Sequence, residues 1–452
     1  MAAPHALDRH IALVGFMGAG KSTLGPVLAE RLGRTFVSVD ALVEERTGTG
    51  VAALFETSGE AEFRALEEAA ALDVLARTPP AVIELGGGAL GSTATRDALA
   101  RHAFTLHLEA TVEEAWERVA GSDRPLARDP ESFRALYGER RPLYEAADAS
   151  AADVDGAVLA AAGVHFGAHR DVRGDALVAD RRVAALHAIP ATHLVDAKTL
   201  AQAERLWRGL ELDRSSMLVA VGGGTTTDLA GFVAATYMRG IDWIAVPSTL
   251  VGQVDAAIGG KTGIDLPEAK NLIGSFHWPR ATVVDTALLD TLPDEERRNG
   301  LAEVVKTGLL RGEPLWDLGV ERQVRACAAF KAGVCLRDPH ELGDRAHLNL
   351  GHTFAHALEA ASGYEVPHGH AVALGLLAAL RLSGLATSVV TDVLGPAPVA
   401  VDRDVAWAAL QRDKKVRDGR VNLVLLDEPG QPRVTSEVEP ARVRAALDEL
   451  IA

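Results

Sequence analysis

The sequence predicts an α/β protein with at least two domains: a phosphate-loop unit built on a parallel sheet, then a second α/β unit joined to a mainly helical one. Three observations predict this. Buried-strand runs alternate with helical patterns through the first 163 residues, glycine-rich loops directly follow two of the strands, and helical patterns dominate beyond about residue 290. The 452 residues exceed what one hydrophobic core usually serves, and 48% hydrophobic with 24% charged residues is an ordinary globular balance. The boundaries expected are 1–163, 164–290 and 291–452.

The first unit opens on the strand IALVGF and a helix ending near Gly33. It continues with the strand FVSVD, a helix through ALFETSGEAEFRALEEAAALDVLA, and the strands AVIEL and FTLHLE. A short strand and helix within EAADASAADVDGAVLAAAG close it. The segment GFMGAGKST, residues 15–23, satisfies G-x-x-x-x-G-K-[ST] between a strand and a helix, the context that motif needs. Gly18, Ala19, Gly20, Lys21, Ser22 and Thr23 are therefore expected to bind a nucleoside triphosphate. Backbone N–H groups wrap the phosphates, Lys21 reaches the β and γ oxygens, and Ser22 offers its hydroxyl to Mg²⁺.

The second unit starts from LVADRRV, expected to be a strand, and continues through MLVAVGGG and WIAVPST. The loop in AVGGGTTTDLAGFVAATYMRG resembles a pyrophosphate turn but is not G-x-G-x-x-G. After it, Asp255, Lys261, Lys270 and Asn271 stand among glycine turns, a spacing of cations that suits an anionic substrate. Glu303 and Lys306 share a helix face at i and i+3 within an apolar run. His352 and His356 lie four apart in LNLGHTFAHALE, with His368 and His370 following in VPHGHAV. Glu303 with His352 and His368 would give three ligands and an open position, the pattern of a catalytic zinc site, leaving His356 to face substrate.

Composition excludes several classes. A net charge of −16, from 46 basic and 62 acidic side chains with no long basic run, argues against nucleic-acid binding. Cys327 and Cys335 form no CxxC pattern, which suits a reducing cytoplasm. Asp8 and Arg9 interrupt any N-terminal apolar stretch, and Arg381 limits the run AVALGLLAAL, so neither export nor membrane spanning is expected.

Across residues 10 to about 160 the chain resembles shikimate kinase, on the phosphate loop, Asp40, Arg64 in GEAEFR, the GGG loop at 86–88, RPL at 124 and RRPLY at 140. The resemblance implies that Asp40, Arg64, Gly86, Gly87, Gly88 and Arg140 bind shikimate, its carboxylate on the arginines and its hydroxyls on Asp40. It also implies that Arg124 steadies the transferring phosphoryl group from a lid, that Arg118 lies near the adenine, and that ATP comes with Mg²⁺. One departure stands out: Ser38 occupies the position of the first aspartate in the family's Asp-x-Asp, supplying an oxygen without charge.

From about 218 to 427 the chain resembles 3-dehydroquinate synthase, on GGGTTTDLAGFVAATYMRG, VDAAIGGKTGID, KNLIGSFHWP, LAEVVKTG, LNLGHTFAHALE, PHGHAVALG and DKKVRDGRVNLVLL. This implies a Rossmann-like NAD domain followed by a mainly helical metal-binding domain. Zn²⁺ (or Co²⁺) would sit on Glu303, His352 and His368, and His356 near the departing phosphate. Arg239, Asp255, Lys261, Lys270, Asn271, Lys306, Lys331, Arg345 and Asn349 would surround the substrate, with a further contact from Lys414 or Lys415. Asp180, Lys198, Gly222, Gly223, Gly224, Asp228 and Thr249 would bind NAD. Where the family has HGE this chain reads HGH, which puts His370 beside the ligands.

These resemblances imply a bifunctional enzyme of the shikimate pathway acting on shikimate, ATP and a heptulosonate phosphate, and a homodimer through the synthase half. Two alternatives remain at this stage. The second half could serve another sugar-phosphate cyclase or a polyol dehydrogenase, and the first could hold nucleotide without turnover.

Overall fold

The structure, a computed structural model, describes residues 5–452 apart from 123–125, 268, 413–415 and 418–419. Arg124, Lys414 and Lys415 therefore lie outside the described residues. The chain divides into two compact units: the first runs to Val164 and includes Ala332–Arg337, the second comprises His165–Lys331 and Asp338–Ala452.

In the first unit β1 (His10–Val14), β2 (Phe36–Ser38), β3 (Val82–Glu84), β4 (Ala103–Leu108) and β5 (Ala149–Ala151) form one sheet in the order β2-β3-β1-β4-β5. All its pairings are parallel, with Ile11 opposite Val82 on one side and Phe104 on the other. Every residue of β1 is buried, as a central strand covered on both faces requires. α1 (Lys21–Leu32) follows the first loop. β2 is shorter than FVSVD, because the Ser38 hydroxyl accepts the Ala41 amide at 3.5 Å and starts α2 (Val39–Thr47). α3 (Val51–Leu75) breaks at Gly59, whose φ of 84° and ψ of 167° interrupt what the apolar pattern presents as one helix. α4 (Thr93–His102), α5 (Val112–Val119), α6 (Pro130–Glu145) and α7 (Val154–Ala161) complete the unit. Thr111 and Glu114 form a reciprocal capping box at the start of α5.

The second unit carries β6 (Val164–Phe166), β7 (Ala176–Asp180), β8 (His193–Val195), β9 (Met217–Gly222) and β10 (Asp242–Pro247). An antiparallel hairpin, β11 (Lys261–Leu266) with β12 (Ala269–Phe276), precedes β13 (Ala281–Val284). Six of these strands form a sheet in the order β6-β13-β10-β9-β7-β8. LVADRRV is only partly strand: the Asp180 carboxylate accepts the amides of Arg182 (2.9 Å) and Val183 (3.0 Å), so Arg181 opens α8 (Arg181–His187). α9 (Leu200–Gly209) and α10 (Gly224–Thr236) pack on the sheet. Then come α11 (Asp294–Arg311), α12 (Val320–Arg337), whose residues from Ala332 on belong to the first unit, α13 (His352–Ala361) and α14 (His368–Ser383). Leu350, Phe354, Leu358, Leu374 and Leu376 form the buried centre of this helical part, which places the first residues of α13 and α14 beside the middle of α11. VNLVLLDE becomes the strand Leu423–Glu428, paired with Gln431–Thr435. Among the described residues no helix is long and apolar enough to cross a membrane.

Candidate functional site

In the first unit the loop after β1 turns through Gly18 and Gly20 at φ of 82° and 95°, values only glycine adopts without strain. Lys21 is buried and folds back, Nζ donating to the carbonyls of Gly15 (2.8 Å) and Phe16 (3.1 Å). Arg118, expected beside the adenine, donates from Nη1 to the Gly18 carbonyl at 2.9 Å and so braces the loop itself. The Ser22 hydroxyl donates to Glu84 Oε1 at 2.5 Å.

Arg64 on α3 is held by Glu67 (2.6 Å) and Glu60 (3.0 Å). Its guanidinium lies against the GGG loop so closely that a Cβ on Gly88 would sit 2.3 Å from Cζ. A Cβ on Gly86 would meet Glu67 Oε1 at 2.0 Å and Asp40 Oδ1 at 2.9 Å. Arg140 and Tyr144 on α6 both donate to the Gly87 carbonyl, at 3.1 and 2.5 Å. Arg64, Glu67, Gly87, Gly88, Arg140 and Tyr144 thus line a cavity of about 510 Å³, room for a small ring acid. Burial pushes the Tyr144 hydroxyl up to about 12, so it stays a neutral donor. Burial also raises the Glu67 carboxyl, against the pull of Arg64. The sequence reading missed Glu67 and Glu84. Glu67 had a signal, three residues after Arg64 on one helix face.

In the second unit α11 presents Glu303 and Lys306 one turn apart, both essentially without solvent contact. Glu303 Oε1 lies 3.4 Å from His352 Nε2 and 3.2 Å from His368 Nε2, and one ligand atom from each of the three residues falls within a mutual 4.8 Å. His352 Nδ1 faces the Leu350 carbonyl at 3.2 Å and His368 Nδ1 faces Glu359 Oε1 at 3.4 Å, contacts that turn both Nε2 atoms inward. Burial works against charge on Glu303, yet Lys306 and the two imidazoles hold its carboxyl well below the usual range. Burial and Lys306 push His352 down to about 3, leaving a neutral ring ready to ligate. Burial disfavours charge on His368 too, but Glu303 and Glu359 outweigh it and lift the ring to about 9. One carboxylate between two inward-facing imidazoles fits a divalent cation of zinc's ligand preference.

Around these donors Asp255 gathers cations: Lys306 Nζ at 2.8 Å, and Lys331, which also donates to its carbonyl at 2.7 Å. Lys261 pairs with Glu341, whose Oε1 accepts Asn349 Nδ2 at 3.0 Å. Arg345, 1% exposed, donates to the carbonyls of Pro339 (2.7 Å) and Gly259 (2.8 Å) and lies over the Phe276 ring. Lys270 is 3.7 Å from Glu359 Oε1 and stacks on Tyr364. Asn271 and Glu341 take φ of 55° and 58°, a strained backbone of the kind concentrated at functional sites.

At the dinucleotide-type turn, Gly222 ends β9 and Gly223 caps α10, which Gly224 opens. A Cβ on Gly223 would meet Thr249 at 3.0 Å, and one on Gly222 would meet Asp180 at the same distance. Lys198 bonds Asp228 Oδ2 (2.8 Å) and Asn271.

Three further positions are not among the three donors. His356 is exposed on α13, its ring 5.5 Å from that of His352. His370 turns Nε2 to the Ala397 carbonyl at 2.8 Å and stands outside the donor set. Arg239 is exposed at φ 70°. Glu359 and Glu341 were missed. Glu359 lies seven residues after His352, two turns along one helix face, and was legible there.

Residues 17–162 match the shikimate kinase family, residues 189–299 match the 3-dehydroquinate synthase N-terminal family, and residues 300–416 match the C-terminal one. The 3-dehydroquinate synthase of Symbiobacterium thermophilum is 42% identical over 287 residues, spanning 56% of this chain and 80% of the relative. A crystal structure of 2-deoxy-scyllo-inosose synthase complexed with carbaglucose-6-phosphate, NAD⁺ and Co²⁺ is 25% identical with a TM-score of 0.55. It covers 63% of this chain and 96% of its own. ValA, the 2-epi-5-epi-valiolone synthase from Streptomyces hygroscopicus subsp. jinggangensis 5008 with NAD⁺ and Zn²⁺ bound, is 25% identical with a TM-score of 0.50, over 64% and 91%.

Fold and family matches together define a P-loop kinase domain followed by a synthase made of a Rossmann-like domain and a helical one. The chain belongs to the 3-dehydroquinate synthase family and carries a shikimate kinase domain ahead of the synthase. It is a bifunctional enzyme of the shikimate pathway.

Proposed function

We propose that the first unit moves the terminal phosphoryl group of ATP, bound with Mg²⁺, onto shikimate. The second unit converts 3-deoxy-D-arabino-heptulosonate 7-phosphate to 3-dehydroquinate and phosphate. The carrying observation is the set of three donors, Glu303, His352 and His368, converging from three helices beside a cluster of lysines.

In the kinase, Lys21, the amides of Gly18–Thr23 and Arg118 would hold the nucleotide phosphates, with Ser22 toward the cation. Arg64 and Arg140, already fixed by Glu67 and the Gly87 carbonyl, would grip the shikimate carboxylate bidentately. Asp40, beside Gly86, would accept hydrogen bonds from the ring hydroxyls and orient the attacking one. Arg124 is assigned to the transferring phosphoryl group from sequence alone.

In the synthase, Glu303, His352 and His368 would hold Zn²⁺ or Co²⁺, and Asp180, Lys198, Gly222, Gly223, Gly224, Asp228 and Thr249 would hold NAD. When bound, this pair polarises a substrate alcohol and exchanges hydride with its carbon, with no net redox change. Lys306 and Lys331, anchored on Asp255, would place positive charge on the substrate hydroxyls, while Lys261, Asn349 and Arg345 bind its anionic ends. Asn271 and Lys270 would add contacts from β12, and Arg239 from its exposed turn. His356, exposed next to His352, would face the departing phosphate and can hand over or take up a proton there. The boundaries 1–163, 164–290 and 291–452 put the glycine turn and the metal donors in adjacent domains of the synthase. Exposed Leu272, Ile273 and Phe276 on β12 support a homodimer through this half.

The test supplies the heptulosonate phosphate and NAD to metal-stripped protein and titrates zinc back. Phosphate release that follows zinc, without net NADH, supports the cyclase chemistry. Net NADH would indicate a polyol dehydrogenase instead. Shikimate-dependent ADP formation by the same sample tests the kinase, and nucleotide binding without it would support the non-catalytic alternative.

A further inference from the structure

We infer that Glu84 is the carboxylate that completes the cation shell of the kinase site, standing in for an acid that β2 lacks. This rests on reading the first unit as a Mg²⁺·ATP-dependent kinase. P-loop phosphotransferases hold their cation with the hydroxyl after the loop lysine and an acid from a neighbouring strand. Here β2 ends in Ser38, whose hydroxyl is engaged at the start of α2.

In the parallel ladder Ser38 stands directly opposite Glu84, the last residue of β3, and Glu84 stands opposite Leu13 of β1, one residue before that strand runs into the phosphate loop. The acid has thus moved one strand closer to the loop while keeping the same height in the sheet. It reaches the cation-binding hydroxyl directly, Ser22 Oγ donating to Glu84 Oε1 at 2.5 Å.

A purely structural bond tying α1 to β3 is the plain alternative. Two observations weigh against it. Ser22 is exposed and Glu84 only partly buried, where a single hydrogen bond adds little stability, and among the described residues Glu84 forms no ion pair with a lysine or arginine side chain. An acid without an ion-pair partner at the mouth of a phosphate loop, with its oxygen on the loop hydroxyl, has the chemistry of a Mg²⁺ ligand or of the acceptor for a Mg²⁺-bound water.

The test uses the full chain with ADP and Mn²⁺, reading bound Mn²⁺ by electron paramagnetic resonance and ADP by calorimetry with and without the metal. In Glu84→Gln the Mn²⁺ affinity of the ADP complex should fall roughly tenfold or more, while metal-free ADP binds within about twofold of the unmodified chain. Adding Ser38→Asp should recover most of the loss, since it restores an acid at the opposed position. Glu84→Asp, which keeps the charge, should fall between. The inference is overturned if E84Q holds Mn²⁺ as tightly as the unmodified chain, or if it loses metal-free ADP to the same extent as Mn²⁺. If Mn²⁺ fails to tighten ADP binding even in the unmodified chain, the cation-dependent kinase reading falls with it, a result readily told from the other two.

Discussion

Replacing Glu359 by Gln probes the metal site through a residue that meets the donors only from behind. Glu359 is 5% exposed, with Oε1 3.4 Å from His368 Nδ1 and 3.7 Å from Lys270 Nζ. As a carboxylate it accepts the Nδ1 proton, fixes the tautomer and raises the basicity of Nε2. Glutamine keeps the shape and removes the charge. Partners of this kind are worth roughly 10- to 100-fold in metal affinity, about 1.4 to 2.7 kcal/mol. The 3.4 Å separation is long for a charge-assisted bond, which puts the expected loss near the lower figure, about tenfold. The assay is competition for zinc between metal-stripped protein and a chromophoric chelator, with kinase turnover of the same sample reporting on folding. An unchanged zinc affinity, or an equal loss of kinase turnover, would refute the reasoning.

Three further outcomes follow from the same geometry. His368, lifted to about 9 without metal, carries a proton at neutral pH that a cation must displace, so zinc affinity should rise roughly tenfold per pH unit and level off above about 9, as equilibrium dialysis across pH would show. Lys306→Met removes the cation between Glu303 and Asp255. It should destabilise the second unit by about 3–5 kcal/mol, less once zinc supplies the missing charge to Glu303, and scanning calorimetry with and without zinc reads both. Gly88→Ala would push a Cβ to 2.3 Å from the Arg64 guanidinium carbon, costing about 10²-fold in kcat/KM for shikimate with the KM for ATP unchanged in steady-state assays.

The parts legible in the sequence were those whose chemistry is written locally. The phosphate loop is strand, glycines, lysine and helix in one stretch, and Lys21 sits where that grammar puts it. The convergence of Glu303, His352 and His368 was legible as a candidate donor set because each opens or centres a helix with a recognisable apolar face. Contacts between distant segments were not. Nothing near AVIEL shows that Glu84 will meet a hydroxyl 62 residues earlier, and nothing in the RDPHE segment shows Glu341 bridging Lys261 and Asn349. Sequence gives Arg118 a helix position and not a rotamer, so its reach to the Gly18 carbonyl shows only once α5 packs. LVADRRV looked like strand throughout because the capping role of Asp180 shows only once the backbone turns.

Glu303, His352 and His368 come from three separate helices, two of them at first-turn positions. A bound ion would therefore be a cross-link as much as a reagent, fastening chain segments that otherwise meet only through side-chain packing. Its grip adds to folding free energy, about 2.7 kcal/mol when free metal stands at a hundred times its dissociation constant. Metal starvation would thus act twice on this chain, silencing one reaction and leaving the helices around it more open to proteases.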